Sequence, residues 1–147
     1  MSHEPYCVEQ CDKVELNSKG WYLQGYSRAG TRTGFMLYPN KFVLDCGVRM
    51  SSSHEAVFMT HVHCDHSLEL PIVCNRHRNK TGSNIYVSGP SIKYLTLFER
   101  CISVLSDPDS ENQTDEEILK GQKITFHPIA PGQVFQVNNC EIEVLNA

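Results

Sequence analysis

The stretch Ala56-Val57-Phe58-Met59-Thr60-His61-Val62-His63-Cys64-Asp65-His66 decides how the rest of the chain is read. Its first four residues are an apolar run bounded by polar ones, the pattern of a short buried strand. Three histidines and one aspartate follow within six residues. His61 and His63 alternate by two, so an extended backbone puts both rings on one side. The chain then turns, and Asp65 and His66 face the same space from the start of a helix. Imidazole nitrogens and a carboxylate oxygen are the donors zinc takes in hydrolytic sites. Four such groups exceed what one tetrahedral ion needs from so short a segment. Two neighbouring ions are therefore expected, His61 and His63 on one, Asp65 and His66 on the other. Cys64, between two candidate ligands, is expected to be a small filler pointing away from them.

Working outward, the upstream half reads as short strands over 21–27, 34–38 and 41–44, rich in aromatic and branched residues. Arg28-Ala-Gly30-Thr and Pro39-Asn40 separate them, the second as a tight hairpin turn. Phe42-Val-Leu44 runs into Asp45-Cys-Gly47, and a serine loop with His54 at the surface follows. Downstream, a short helix is expected over 68–74 with Pro71 in its first turn. A strand follows over 84–87, then the clearest helix over 91–105. Ser91 is its expected N-cap, and Ile92, Leu95, Phe98, Ile102 and Leu105 recur at helical steps. Tyr94, Leu97, Cys101 and Val104 form a second stripe, expected to pack as well. Six acids between Asp107 and Glu117 suggest an exposed loop, and Thr114 with Glu117 a capping box opening one short turn of helix. Strands over 123–127, 133–137 and 140–145 close the chain, the last two joined by Asn138-Asn139. The order implies an α/β fold, a mixed sheet with flanking helices, in a single domain over 1–147.

Composition sets the class. The 147 residues carry a net charge of −4, with 40% hydrophobic and 20% charged residues, which is globular usage. No apolar run approaches the roughly 18 residues of a membrane span, so no membrane partner is expected. The N-terminus lacks the pattern of a secretory leader. Seven scattered cysteines do not make a disulfide framework and suggest reduced, buried thiols in a cytoplasmic or nuclear protein. Cys7 and Cys11 could be half of a zinc knuckle, but no second pair completes it. The acidic balance argues against binding nucleic acid by bulk charge. Arg76, Arg78 and Lys80 nevertheless form a local basic cluster able to track phosphates. His3, His77 and His127 are expected to lie outside the ligand set.

His61-x-His63-x-Asp65-His66 after an apolar strand resembles the signature of the metallo-β-lactamase superfamily. Phe42-Val-Leu-Asp45-Cys-Gly47 is similar to that family's strand ending in Asp-x-Gly. The resemblance implies an αββα sandwich, of which roughly Gly20 to Ala147 would be the first half. A narrower likeness, to the transfer-RNA 3′-processing endonuclease ribonuclease Z, rests on Leu44-Asp-Cys-Gly47, Phe58-Met-Thr-His61 and His63-Cys-Asp-His66-Ser-Leu-Glu-Leu-Pro71. Tyr26-Ser-Arg-Ala-Gly30-Thr-Arg-Thr is loosely similar to that family's first hairpin. Cys64 and Val48-Arg-Met50 depart from the family pattern. The likeness implies a two-zinc phosphodiesterase acting on RNA, a transfer-RNA precursor, with Asp65 as both metal ligand and catalytic group. It also implies three later ligands, a third His, a bridging Asp and a last His, which no residue after His66 supplies. Residues 1–147 alone are therefore expected to be nearly inert. Two alternatives stand beside this: a hydrolase of a small thioester, lactone or lactam, and a non-catalytic truncated metal-binding or interaction module, with a homodimer possible.

Overall fold

In the computed structural model, which describes residues 5–75 and 80–146, seven strands form one sheet in the order of the sequence. They are β1 (Lys13–Glu15), β2 (Tyr22–Arg28), β3 (Arg32–Tyr38), β4 (Phe42–Leu44), β5 (Ala56–Phe58), β6 (Ser83–Ser88) and β7 (Ile124–Ile129). The first four are antiparallel and joined by short turns; from β4 onward the pairing is parallel. Parallel neighbours need crossovers. Helices α1 (Cys64–Ser67) and α2 (Leu70–Val73) make the one from β5 to β6. Helices α3 (Ile92–Ser106) and α4 (Asp115–Gln122) make the one from β6 to β7. The α/β class and the mixed sheet expected from the sequence are both present. Among the described residues no helix is long and apolar enough to cross a membrane.

The two-residue period of the strands sorts the core onto two faces. Val43, Val57, Ile85 and Val87 point to the helices, where Leu70, Val73 and Leu95 cover them. Phe42, Ala56, Phe58 and Tyr86 point the other way. There a separate hairpin, β8 (Val134–Val137) with β9 (Cys140–Glu143), lays Phe135, Val137 and Ile142 against them. Its turn is Asn138-Asn139, with Asn138 at a positive φ of 54°, as the two-residue signal implies.

Several expectations need correction. The helix expected over 68–74 is only Leu70–Val73, with Pro71 in its first turn, and a separate four-residue helix, Cys64–Ser67, precedes it. Ser91 is itself helical and makes no capping bond; its hydroxyl pairs with that of Ser88 at 2.7 Å. Tyr94, Leu97 and Cys101 are exposed, as is Leu105, because a helix on one side of a sheet has one face to bury. The buried positions of α3 are Leu95, Glu99 and Ser103. The acidic stretch is a 3-10 turn over Pro108–Asn112 with Ser110 buried, and the Thr114–Glu117 box opens an eight-residue helix that runs past Gly121. His54 is 4% exposed, its Nε2 lying 3.2 Å from Ser83 Oγ, because β6 passes across the serine loop.

His54 and Glu99 give opposite pH dependences. Burial pushes the His54 imidazole down from 6.5 to about 4. The unfolded chain takes up that proton below 6.5 while the folded one does not, so this stability is lost as pH falls toward 4. Burial pushes the Glu99 carboxyl up from 4.5 to about 7. Its contribution is present below 4.5 and is lost as pH rises toward 7. Each is worth about 3 kcal/mol, since a tenfold change in proton affinity corresponds to about 1.36 kcal/mol. In urea unfolding the His54 and Glu99 slopes are therefore expected to oppose one another between about pH 4.5 and 6.5. Glu99→Gln removes one slope, and the stability of that variant should climb through the same window. Superimposable pH profiles for the two proteins would refute the assignment.

Candidate metal centre

The carboxyl ends of β4, β5 and β6 lie together because these strands are parallel, and loops leaving such ends are where open α/β sheets gather ligand groups. Asp45 follows β4 directly; Met59 to His63 follow β5. The two segments are stitched by backbone bonds: Asp45 N donates to Phe58 O at 2.9 Å, and Cys46 N to His66 O at 2.6 Å. Glu69 N closes on Cys46 O at 2.8 Å. The Asp45–Gly47 loop thus clasps α1 and fixes where Asp65 and His66 stand. Gly47 is required at the closest point. A Cβ there would overlap the Asp65 carbonyl and lie 2.7 Å from Thr33 O.

The four expected ligands converge. The His61 ring centroid lies 4.6 Å from that of His63 and 3.9 Å from that of His66. His66 Nε2 is 3.5 Å from Asp65 Oδ2. Asp65 Oδ2 also accepts from the Gly30 amide at 3.1 Å, so the β2–β3 turn reaches the site. His63 and Cys64 are exposed; His61, Asp65 and His66 are half-buried. Partial burial holds the His61 imidazole below its ordinary value, and the His66 and His63 rings add to this.

Behind this group sits Asp45, buried and at a positive φ of 60°. Its Oδ1 accepts from Thr60 N at 2.8 Å, and its Oδ2 from Thr60 Oγ1 at 2.8 Å. His66 Nδ1 lies 2.8 Å from the same Oδ2, and His61 Nδ1 2.9 Å from Thr60 Oγ1. The proton count then fixes both tautomers. A hydroxyl has one proton, and Thr60 gives it to the carboxylate, so it accepts from His61 Nδ1–H. His66 Nδ1–H donates to Asp45 directly. In both rings Nε2 is left with a lone pair. A carboxylate that orients two imidazoles in this way is the usual backing of metal-bound histidines.

The donor set therefore fits zinc by chemistry: two imidazoles with fixed tautomers, a third exposed imidazole, and a carboxylate beside them. It is not a ready-made cage; among the described residues no three His, Cys, Asp or Glu side chains are gathered to hold an ion. The rings lie against one another, and turning them about their side-chain bonds is what would open the space.

Asp45, Thr60 and Gly30 belong to the site although the sequence pattern does not single them out as such. The one local signal is Asp45-Cys-Gly47 at the end of a strand. His127 stacks on Tyr86 at 4.7 Å and meets Asn84 at 2.9 Å, on the hairpin side of the sheet. Cys11 Sγ turns to the Cys7 carbonyl at 3.6 Å. His3, Arg76, His77 and Arg78 lie outside the described residues, so the basic cluster is represented by Lys80 alone. No protein-family model matches the chain, and no curated protein matches it.

Proposed function

We propose that the chain carries the zinc site of a phosphodiesterase similar to ribonuclease Z, acting on transfer-RNA precursors. On this reading the sheet with helices on one face is the first half of an αββα sandwich. The observation that carries the proposal is the convergence of His61, His63, Asp65 and His66 in front of a buried Asp45 that sets two ring tautomers. His61 and His63 would hold one ion, Asp65 and His66 the other. Zinc bound there supplies a water ionised near neutral pH and offsets charge on the phosphate. Asp65, steadied by the Gly30 amide, accepts and directs a proton of the attacking water. Asp45 holds the Nδ1 proton of His66 directly and that of His61 through Thr60, so that Nε2 of each neutral ring is the atom left to bind metal.

A small-molecule reading has one observation of its own. An apolar cavity of about 150 Å³ adjoins α1, lined in part by Val62, Cys64, Leu68, Tyr94 and Phe98. A thioester or lactone substituent would fit it.

The test is zinc titration of residues 1–147 against a chelating indicator, followed by assays on precursor transfer RNA and on a thioester. Weak zinc binding is expected, lost in His63→Ala and Asp65→Ala with unchanged circular dichroism. Slow, chelator-sensitive release of the RNA 3′ trailer should accompany it, without thioester turnover. Thioester turnover without RNA cleavage would replace the RNA reading. Zinc binding indifferent to all four residues would leave a non-catalytic module.

A further inference from the structure

A cleft of about 630 Å³, which shares no lining residue with the candidate metal centre, lies between the end of α2, α3, the 3-10 turn at Pro108–Asn112, and α4. Glu99 forms part of its base. It occupies a core position of α3, one turn after Leu95, and is 3% exposed. Its Oε1 has no hydrogen-bond partner among the described residues. A buried carboxyl left this way costs about 1–3 kcal/mol, so one that persists needs an explanation. The cleft wall adds Asp107 and Glu117, the hydroxyls of Ser103 and Ser106, and the methyl groups of Ile102 and Ile118. No Lys or Arg lines it among the described residues. Asp107 and Glu117 already accept bonds from their own caps, so the unmet demand is at Glu99.

We propose that this cleft is a binding site for a small organic ammonium ion of the polyamine class, with Glu99 as the anion that receives the ammonium group. An amine N–H donates to Oε1; Ser103 lies one turn further along α3, and Ser106 about two turns, where a second amine of the polyamine would reach it. Ile102 and Ile118 contact the methylene chain. A bare divalent cation suits the site less well. The space is that of a small-molecule pocket, of the usual order of 300–1,000 Å³, and hydroxyls and methyls replace the several carboxylates a hard cation takes. Burial favours the protonated form of Glu99 in the empty cleft. Entry of the ammonium would favour the ionised form, so binding releases a proton near neutral pH.

The experiment is calorimetric titration of the 147-residue chain with spermidine at physiological salt, with magnesium chloride in parallel. Saturable one-site binding of spermidine is expected, with no comparable response to magnesium. Glu99→Gln, nearly the same shape, should weaken it by about tenfold or more. Ser106→Leu, at an exposed wall position that does not threaten folding, should block it. Glu141→Gln, an equal charge change on β9, should leave it intact. Equal spermidine affinity in wild type and Glu99→Gln would overturn the proposal. So would the absence of saturable heat, or magnesium binding with the same dependence on Glu99. None of these outcomes depends on zinc.

Discussion

Gly47→Ala is expected to collapse both the loop and the candidate metal centre. The added methyl would overlap the carbonyl of Asp65, and the Thr33 carbonyl closes the other side at 2.7 Å. Neither obstacle is a flexible side chain; both are backbone. Relief requires moving α1 away from the Asp45–Gly47 loop, which breaks the bonds from Cys46 N to His66 O and from Glu69 N to Cys46 O. Overpacking of this kind costs typically about 1–3 kcal/mol, and two broken buried backbone bonds add about 1–3 kcal/mol each. A total near 4 kcal/mol or above is a large part of the roughly 5–15 kcal/mol that holds a typical domain folded. Denaturant melts should show a large fall in midpoint, and zinc binding should vanish with it. A variant within about 1 kcal/mol of wild type would mean that α1 does not sit as described.

The second large effect belongs to Asp45. Asp45→Ala strips one carboxylate from three donors at once: Thr60 N, Thr60 Oγ1 and His66 Nδ1. Breaking a buried charge network by removing one partner costs about 3–5 kcal/mol. Alanine at a φ of 60° adds about 1 kcal/mol more. Asp45→Asn separates charge from conformation, because asparagine accepts the left-handed region. It keeps one acceptor oxygen for Thr60 but can no longer take protons on both sides. Stability should change less than in Asp45→Ala, while zinc affinity falls by about 10–100-fold, the usual cost of losing such an orienting partner. Unaltered zinc affinity in a folded Asp45→Asn would remove Asp45 from the site.

The contrast between these positions shows what a sequence can convey. His61, His63, Asp65 and His66 are legible because strand period and one turn of helix place them, all within six residues. Asp45 carries its role across 15 residues to Thr60 and 21 to His66, a closure decided by β4 lying beside β5 in parallel. No local pattern encodes that. His54 escapes for the same reason: three serines beside it suggest solvent, while Ser83 from a distant strand buries it. On α3, periodicity finds Leu95 but passes over Glu99. A carboxyl at a core position is invisible to a hydrophobic count, and that position lines the cleft. Short elements are the least legible, since α1 and α2 are one turn each and their break at Leu68 and Glu69 follows from the clasp on Cys46.

The sheet's order has a consequence for how the chain is made. Each strand pairs with the one synthesised before it, so every new strand meets an edge that already exists, and the sheet grows in the direction of translation. No strand must wait for a distant partner or thread between two formed ones. The growing edge is always the newest strand, and it is the exposed, sticky one. Among the described residues the newest strand of this sheet is β7, which carries Pro128 in its interior and Lys123 at its entry. A proline withholds an amide from any strand that would add on, and a lysine must be desolvated by it. The strand added last to the sheet thus carries its own stop against edge-to-edge aggregation.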